Sequence, residues 1–560
     1  MADPSPLDVD AFLEPLTVDS DRLHRLARRF STTYQNLART STEQFLPTPI
    51  TNLPSGKETG KFLAIDLGGT NLRVGFIELL GRSWSPHGED GQLEADQEEA
   101  RDTSPDGPRF RRTHEKSWPI GEHLKIDKAE DLFAWIGDCI SEVVAEDVDA
   151  VAAEDPDCDG NPHQDGIALG ITFSFPMLQN SLAEATLMPM GKGFAITSNL
   201  NLGKLLLSGY ERHTDVVSND ETQLSNDSEP SRKRRRVRKL PRLRIAAISN
   251  DTVATLAAMT YAVRSRSNNR VAMGLIVGTG TNATIPMKLR DLGAAKTSKI
   301  SFPSTADLED LEVVVNTEWT INGTAGPLRE LGFMTKWDDM LDEASEAPGF
   351  QPFEYMTAGR YLGELARLCV LDIFTNKLQI PEEDLPSALR HRNSLTTTFL
   401  AQTVVAEKPG ISLTSELQHE LPPPGESKWQ WTDETSDILR KVGSKLQIRS
   451  AGLIAAAVIG LLGCTGNIYV GDGTGYDTAK TTMNGTSKSG GAADDEVVIA
   501  STGGVITHYP GFFDSCQGYI DELLRREGHR NDGKRIVLQE ALDGGIIGAG
   551  VLAGTVANLA

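Results

Sequence analysis

The sequence predicts an α/β protein built as two lobes, and two kinds of observation lead to this prediction. Short apolar runs of β-type composition end in glycine, as in FLAIDLGGT, GIALGITFSF and VAMGLIVGTGTNA. Stretches with helical periodicity lie between such runs, for example 129–145 and 357–374. Strands that alternate with helices are typical of layered folds with buried sheets. A chain of 560 residues is long enough for two to four domains.

Composition and charge argue against several classes of protein. The net charge of −23 disfavours a surface that wraps nucleic acid or an anionic membrane. The five cysteines have no CxxC spacing, so we expect neither a disulfide framework nor a structural zinc site, and a reducing compartment fits best. The N-terminal residues lack the basic and apolar segments of a signal peptide. The longest apolar run, 451–464, is short for a membrane span and predicts a buried helix.

Four polar segments interrupt the ordered blocks, and they lie near 88–108, 146–165, 219–244 and 471–495. None of them shows apolar periodicity, so each is predicted to be a solvated loop. For the two acidic segments, a tolerated surface insertion is the simplest interpretation.

The segment KFLAIDLGGTNLRV, residues 61–74, predicts a β-hairpin with a glycine-containing turn. The turn comprises Gly68, Gly69, Thr70 and Asn71. Glycine tolerates positive φ and lets backbone N–H groups approach a phosphate closely. Asp66, near the end of the first strand, is placed to hold a metal ion or its water. A plain tight hairpin is the competing interpretation.

A second strand–glycine–strand turn, GTGTNA, occupies residues 278–283. The chain contains no GxxxxGK[ST] sequence, which excludes a P-loop as the phosphate cradle. Two such turns in one chain are more specific than either alone. They indicate two clamps on one polyphosphate, one from each lobe.

Asn250, Asp251 and Thr252 end the apolar run RIAAIS. An aspartate at the carboxyl end of a strand can accept a proton from a substrate hydroxyl. The same three residues also form the N-cap pattern of a helix. The two interpretations are compatible, because Asp251 can begin a helix and still face a cleft.

Further polar residues follow predicted strands or begin a predicted helix, namely Ser174, Lys192, Glu318 and Glu354. Each sugar hydroxyl both donates and accepts hydrogen bonds, so carboxylates and amides are suitable partners for a polyol. Sequence spacing alone does not bring these residues together.

Taken in order, these motifs resemble those of the eukaryotic hexokinase/glucokinase family over about residues 20 to 560. The resemblance rests on FLPTPITNLPSGKETGKFLAIDLGGTNLRV, ITFSFPMLQNSLAEATLMPMGKGF, SNDTVATL, GLIVGTGTNA, VVNTEW and FEYMTAGRYLGELARL. It implies an α/β, two-lobed, actin-like (ribonuclease H-like) sugar-kinase fold with a central cleft. The small lobe would comprise 61–243 plus 545–560, and the large lobe 1–60 plus 244–544.

The resemblance implies phosphorylation of a hexose such as glucose at the 6-hydroxyl, with Mg-ATP. Asp251 would take the hydroxyl proton, and Lys192 would stabilise the transferred phosphoryl group. Asp66 would help to place Mg²⁺ through water. The sugar would be bound by Ser174, Gly191, Asn250, Asn282, Glu318 and Glu354. The nucleotide would be held by Gly68, Gly69, Thr70, Asn71, Thr279, Gly503 and Gly504.

The sequence departs from the family pattern at four points. Gly191 replaces the usual threonine before the lysine, and Thr320 replaces the glycine of EWG. On the adenosine side, residues 501–504 read STGG instead of VDGS. Residues 544–550 read GGIIGAG instead of GSGKGAA. We therefore expect weak kinase activity. The alternative is a catalytically impaired, sugar-binding regulator in the nucleus, similar to the atypical fungal branch.

A basic run lies inside the third polar segment, in SRKRRRVRKL. Its basic residues are Arg232, Lys233, Arg234, Arg235, Arg236, Arg238 and Lys239. The run resembles a nuclear-import signal. A solvated loop paired with neighbouring acids is one alternative, and contact with a DNA backbone is another that the net charge disfavours. We expect an intracellular protein, in nucleus or cytoplasm, with an import receptor and regulatory proteins as further partners and no membrane contact.

Overall fold

The computed structural model describes residues 8–81, 109–121, 123–124, 129–154, 166–175, 177–187, 200–214, 240–263, 269–298, 300, 310–471 and 495–558. The chain divides into two compact units. Unit 1 comprises Met1–Pro47 and Arg266–Leu542, and unit 2 comprises Thr48–Ser265 and Asp543–Ala560. The boundaries predicted from the sequence lie between residues 60 and 61, 243 and 244, and 544 and 545. The observed division puts residues 244–265, which include Asp251, in the same unit as the first hairpin.

Unit 2 is built on a five-stranded mixed sheet. Its strands, in spatial order, are Phe110–Pro119, Asn71–Leu80, Thr59–Leu67, Ile167–Phe173 and Leu243–Ser249. The first three pair antiparallel and the last three pair parallel. A small ribbon is formed by Met177–Ser181 and Glu184–Leu187. The helices are Ala129–Glu154, Leu202–Glu211, Asp251–Val263 and Gly544–Ala557.

The helix Gly544–Ala557 packs directly on the sheet and on the helix Asp251–Val263. Two glycines permit this close approach. A Cβ at Gly548 would overlap the carbonyl of Ala254, and a Cβ at Gly170 would overlap that of Ala549. Gly548 and Gly170 therefore set the distances between these backbones in unit 2.

The second polar segment corrects one sequence expectation. Residues 146–154 were predicted as a solvated loop, but they continue the helix Ala129–Glu154. The side chain of Asp147 is fully buried and forms an ion pair with Lys61 on the central strand. The charge is satisfied by a residue distant in sequence, which is why the local pattern did not predict burial. Residues 88–108, 155–165, 219–239 and 472–494 of the polar segments lie outside the described residues.

Unit 1 contains a six-stranded mixed sheet. Its strands, in spatial order, are Leu46–Pro47, Glu312–Asn316, Thr281–Lys288, Asn269–Val277, Asp495–Thr502 and Lys534–Glu540. Its α-helices are Val9–Phe12, Ser20–Thr40, Ala294–Thr297, Ala325–Glu330, Lys336–Glu343, Pro352–Thr357, Gly359–Asp372, Ser387–Arg390, Thr397–Phe399, Leu413–Glu420, Asp433–Cys464, Gly504–His508 and Phe512–Arg526. Short 3₁₀ segments are Glu14–Leu16, Leu289–Asp291, Asn322–Thr324, Glu382–Asp384 and Gly528–Asn531, and π-helical segments are Ile373–Lys377 and Leu400–Val405.

The helix Asp433–Cys464 forms the centre of unit 1. It packs against Ser20–Thr40 and Phe512–Arg526. It is long and apolar enough to cross a membrane by length and composition, but 89% of its most apolar window is buried inside the protein. This is the position of a core helix, as the run 451–464 predicted.

Candidate functional site

The first glycine turn lies in unit 2 and has the predicted hairpin geometry. Strands Thr59–Leu67 and Asn71–Leu80 pair antiparallel, with Leu67 opposite Leu72. The N–H of Gly68 donates to the carbonyl of Asn71 at 3.0 Å. Thr70 and Asn71 are exposed at the turn. The hairpin prediction is confirmed, and the turn presents polar and backbone groups to solvent.

Asp251 lies where a parallel strand ends and a helix begins. The strand Leu243–Ser249 is followed by buried Asn250, and the helix Asp251–Val263 starts at once. The Oδ1 of Asn250 accepts from the backbone N–H of Thr252 at 3.0 Å and from its hydroxyl at 2.8 Å. Oδ1 of Asp251 accepts from the same N–H at 2.8 Å. Asn250 therefore supplies the principal cap, and Asp251 remains partly exposed at the strand end.

Asp66 carries a strongly perturbed carboxyl group. Burial and the nearby negative charge of Asp251 raise the pKa of Asp66 to about 7, while Arg73 opposes the shift. A Cβ at Gly545 would overlap the Asp66 carboxylate, so helix backbone lies directly against it. Two carboxylates with excess negative charge are a donor set that suits Mg²⁺, which binds one or two protein carboxylates together with phosphate oxygens. The residues present in unit 2 thus fit this ion.

The start of the helix Gly544–Ala557 is fixed by charge. Asp543 has a left-handed backbone, φ +51°, and accepts from Arg73 and, at 2.7 Å, from Arg112. Burial alone would raise the pKa of Asp543, but these two arginines hold it below its ordinary value. The hydroxyl of Thr172 donates to the carbonyl of Gly545 at 2.9 Å. These contacts hold the glycine-rich segment in place although it lacks the family's serine and lysine.

A second group of predicted residues lies in unit 1, around Glu318. Asn282 donates from Nδ2 to Oδ1 of Asn316 at 2.7 Å, and Asn316 donates from Nδ2 to Oε1 of Glu318 at 2.8 Å. Glu318 itself has a left-handed backbone, φ +45°. Sequence reasoning did not select Asn316, although it stands in the motif VVNTEW two residues before the glutamate. The three side chains form one hydrogen-bonded chain of amide and carboxylate groups.

Gln44 supports the backbone of Glu318 from behind. The Gln44 side chain is buried and donates from Nε2 to the carbonyl oxygen of Glu318 at 3.0 Å. The Lys296 ammonium donates to the carbonyls of Gln44 and Phe45 at 2.7 and 3.1 Å. No local signal in the sequence could identify Gln44, because its role depends on a contact with a residue far along the chain.

Glu354 lies in the short helix Pro352–Thr357 and is buried. Its Oε2 accepts a hydrogen bond from the hydroxyl of Thr320 at 3.0 Å. Trp319 is fully buried and meets the ring of Phe353 edge-on, with centroids 6.1 Å apart. Two successive residues therefore contact two successive residues, Trp319 with Phe353 and Thr320 with Glu354. The departure at Thr320 places a hydroxyl on a predicted sugar-binding carboxylate.

The second glycine turn is the meeting point of three segments of unit 1. Strands Asn269–Val277 and Thr281–Lys288 pair antiparallel, as predicted. The N–H of Gly359 donates to the carbonyl of Gly278 at 2.7 Å. Gly503 has φ +117°, and a Cβ there would overlap the carbonyl of Val277. Thr279 and Gly504 are exposed beside this contact. The backbone geometry at residue 503 is thus specific for glycine despite the altered motif.

Ser174 lies beside the first hairpin, whereas other predicted residues fall outside the part of the chain that the structure describes. Ser174 is half-buried directly after the strand Ile167–Phe173, where its N–H donates to the carbonyl of Leu67 at 3.1 Å. Gly191 and Lys192 lie outside the described residues, as does the basic run Arg232, Lys233, Arg234, Arg235, Arg236, Arg238 and Lys239.

Comparison with known proteins gives a consistent result over both units. Family models described as Hexokinase match residues 8–261 and 272–555. Hexokinase-1 of Schizosaccharomyces pombe is 27% identical over 548 residues, covering 97% of this chain and 90% of that protein. Glucokinase of Aspergillus niger is 27% identical over 531 residues, covering 91% and 88%.

A solved structure shows the same fold. The hexokinase from Schistosoma mansoni complexed with glucose aligns with a TM-score of 0.67 and 24% identity, covering 98% of each chain. This likeness confirms the predicted α/β, actin-like sugar-kinase fold.

Proposed function

The chain belongs to the hexokinase family, and on that premise we propose that it is a kinase that phosphorylates a hexose, glucose first of all, at the 6-hydroxyl with ATP. The observation that carries the proposal is Asp251, a partly exposed carboxylate at a strand end beside the glycine hairpin's Asp66. The names of the relatives from S. pombe and A. niger support the reaction, and the glucose in the S. mansoni structure supports the sugar.

In this proposal Asp251 acts as the general base. Its carboxylate accepts a hydrogen bond from the Thr252 N–H, which orients the carboxylate. The carboxylate takes the proton of the 6-hydroxyl as the hydroxyl oxygen bonds to the terminal phosphorus of ATP, and the bond from that phosphorus to the bridging oxygen breaks to release ADP. General-base catalysis by a positioned group contributes roughly 10²- to 10⁴-fold.

The sugar hydroxyls are bound by the amide and carboxylate groups of Asn282, Glu318 and Glu354, with Ser174 and Asn250 as further partners. The glycine turns at 68–71 and 278–280 hold the ATP phosphates. Asp66 would hold Mg²⁺ through water, and the ion when bound would neutralise phosphate charge. Lys192 stabilises the phosphoryl group in transfer. We expect the activity to be weak, because the adenosine-side segments 501–504 and 544–550 lack the family's polar residues.

An ADP-release assay with glucose and Mg-ATP tests the proposal. Asp251→Asn should reduce kcat by at least about 100-fold, as expected for loss of a general base. Asp149→Asn, at an exposed position on a helix of the same unit, is the matched control and should leave kcat unchanged. Equal rates for the wild type and Asp251→Asn would show that the turnover does not use this carboxylate, and no turnover would exclude the kinase.

A second candidate function is a sugar-responsive regulator that acts in the nucleus. The seven basic residues within 232–239 favour it, together with the altered adenosine-side motifs. In this case an import receptor and regulatory proteins are partners, and the protein is intracellular and acts in the nucleus.

Two measurements separate the candidates. A regulator should be stabilised by glucose but not by Mg-ATP in a melting assay, because a ligand raises the melting temperature only if it binds the native state. A tagged protein should lose nuclear accumulation when the seven basic residues become glutamine. A wild-type protein confined to the cytoplasm would argue against the regulator.

A further inference from the structure

The hydrogen bond between Thr320 and Glu354 joins a residue unusual for the family to a carboxylate proposed to bind sugar. The Thr320 hydroxyl donates to Oε2 of Glu354 at 3.0 Å. Thr320 is 2% exposed and Glu354 is 8% exposed, so the bond is shielded from water. A hydroxyl-to-carboxylate bond in a buried place is stronger than a bond between neutral groups.

The hydroxyl is held in place by the packing on either side of it. Trp319 is fully buried, stacks near Tyr34 with ring centroids 6.4 Å apart, and meets Phe353 edge-on. Because Trp319 precedes Thr320 and Phe353 precedes Glu354, this aromatic contact fixes the two polar residues opposite each other. The backbone that precedes Trp319 is also fixed, because Gln44 donates to the carbonyl of Glu318.

The chemistry of the two groups indicates what the bond does. A threonine hydroxyl has one proton, and here the proton is directed to Oε2 of Glu354. A carboxylate has about four acceptor positions, so the single hydrogen bond from Thr320 does not exhaust the capacity of Glu354 to accept. Glycine, the usual family residue at this position, has no donor. Thr320 therefore orients the carboxylate without consuming its capacity to bind a ligand.

We propose that Thr320 is a positioning residue that fixes the carboxylate of Glu354 for hexose binding and thereby sets the affinity for the sugar. The inference rests on the proposed function, since it assigns a second residue to the same sugar-binding group. Thr320 acts through Glu354 and has no role in the transfer of the phosphoryl group.

The test compares Thr320→Val, which keeps the shape but removes the hydroxyl, with Thr320→Ser, which keeps the hydroxyl. Thr320→Val should raise the KM for glucose about tenfold, the effect of one hydrogen bond to a charged group. The kcat and the KM for ATP should stay within about twofold, because the residue serves ground-state binding of the sugar alone. Thr320→Ser should restore the KM to within about threefold of the wild type, a rescue that a merely structural methyl group would not give.

The same variants are compared in a glucose titration of the melting temperature, which needs no turnover. The glucose concentration for the half-maximal shift should rise by the same factor for Thr320→Val. Thr320→Gly also lacks the hydroxyl and serves if the valine variant does not fold. If neither Thr320→Val nor Thr320→Gly changes the affinity for glucose, the inference about Thr320 is overturned and the proposed function is left intact. If the wild-type protein shows no turnover and its melting temperature does not change with glucose, both the inference and the proposed function are overturned. If the wild type binds glucose without turnover, the titration of the melting temperature still decides the role of Thr320.

Discussion

At the residue scale, the carboxylate of Glu318 accepts a hydrogen bond from a neighbouring amide. Asn316 donates to it at 2.8 Å, and Asn282 donates in turn to Asn316 at 2.7 Å. Glu318 adopts a left-handed backbone, which costs a non-glycine residue about 1–2 kcal/mol. Strain of this kind persists when surrounding contacts determine the conformation, as the bond from Gln44 does here. A carboxylate positioned in this way is suited to a ligand with hydroxyl donors.

This arrangement predicts the effect of Asn316→Asp, which replaces the donor with a second carboxylate. We expect the free energy of unfolding at pH 7 to fall by about 1–3 kcal/mol, because a buried group loses its partner and meets a like charge. The repulsion raises the pKa of the pair above the unfolded value. The native state then binds more protons than the unfolded state as the pH falls, so the loss of stability should be smaller at pH 5 than at pH 7.

Urea unfolding at both pH values measures this effect. Asn322→Asp adds the same charge at an exposed position of unit 1 and should change the free energy of unfolding by less than about 0.5 kcal/mol. An Asn316→Asp protein as stable as the wild type at pH 7 would show that the amide is not a required donor.

At the element scale, the helix Gly544–Ala557 has a glycine face rather than a polar one. Gly548 meets the carbonyl of Ala254, in the helix that begins with Asp251, and Gly545 lies against Asp66. The spacing between these elements thus depends on the absence of side chains. The altered segment GGIIGAG has kept Gly548, which packing requires, and has lost polar side chains, with Gly545 standing at the position of the family's serine.

Gly548→Ala should destabilise unit 2 by about 3 kcal/mol or more, because overpacking against a backbone carbonyl leaves no flexible side chain to move. It should also lower kcat, since the shifted helix carries Asp251. Gly518→Ala is the matched control, because Gly518 lies in the helix Phe512–Arg526 with nothing within 4 Å of its Cβ position. That variant should stabilise the protein by about 0.5–1 kcal/mol through helix propensity. The melting temperature should fall for Gly548→Ala and rise for Gly518→Ala. A change of the same sign in the two variants would contradict the packing argument.

The elements also show where prediction from sequence reaches its limit. Both glycine hairpins and the helix that starts at Asp251 could be predicted, because turn residues and strand patterns are local signals. The helical structure of residues 146–154 could not be predicted, because the burial of Asp147 depends on Lys61, which lies on a strand distant in sequence. The partners of Thr320 and Glu318 are likewise distant, namely Glu354 and Gln44. Sequence motifs thus identified candidate side chains, while the contacts that orient them required the fold.

At the scale of the whole molecule, the two ends of unit 1's sequence are joined by a buried ion cluster. Glu527 accepts from Nε of Arg28 at 2.9 Å and from Nη2 at 3.0 Å, and it contacts His24 at 2.8 Å. The N–H of Gly471 donates to it at 3.0 Å. Burial alone would raise the pKa of Glu527, but the hydrogen bonds from His24 and Arg28 lower it to about 2.

A depressed carboxyl pKa gives a defined dependence of stability on pH. The contribution of Glu527 is fully present above the ordinary pKa of about 4.5 and is lost as the pH falls toward about 2. At about 1.4 kcal/mol per pKa unit, the loss is at most about 3.5 kcal/mol. Glu527→Gln should therefore unfold more easily than the wild type at pH 7, and the difference should shrink between pH 4.5 and pH 3.

Chemical denaturation across this range checks the prediction. Glu540→Gln, at an exposed position on the strand Lys534–Glu540, is the control and should follow the wild type. A constant difference between wild type and Glu527→Gln from pH 7 to pH 3 would show that the charge of Glu527 does not contribute.

The three crossings of the chain between units have a consequence for biosynthesis. Unit 2 takes its central strands from 48–265, yet the helix that fills its core, Gly544–Ala557, follows the whole of 266–542. During synthesis on the ribosome, the early strands of unit 2 therefore have an incomplete core until residues 266–542 of unit 1 have been translated. Exposed apolar surface in such intermediates attracts chaperones and promotes aggregation. The slow step in maturation should be the docking of this late helix, and its glycines determine whether docking succeeds.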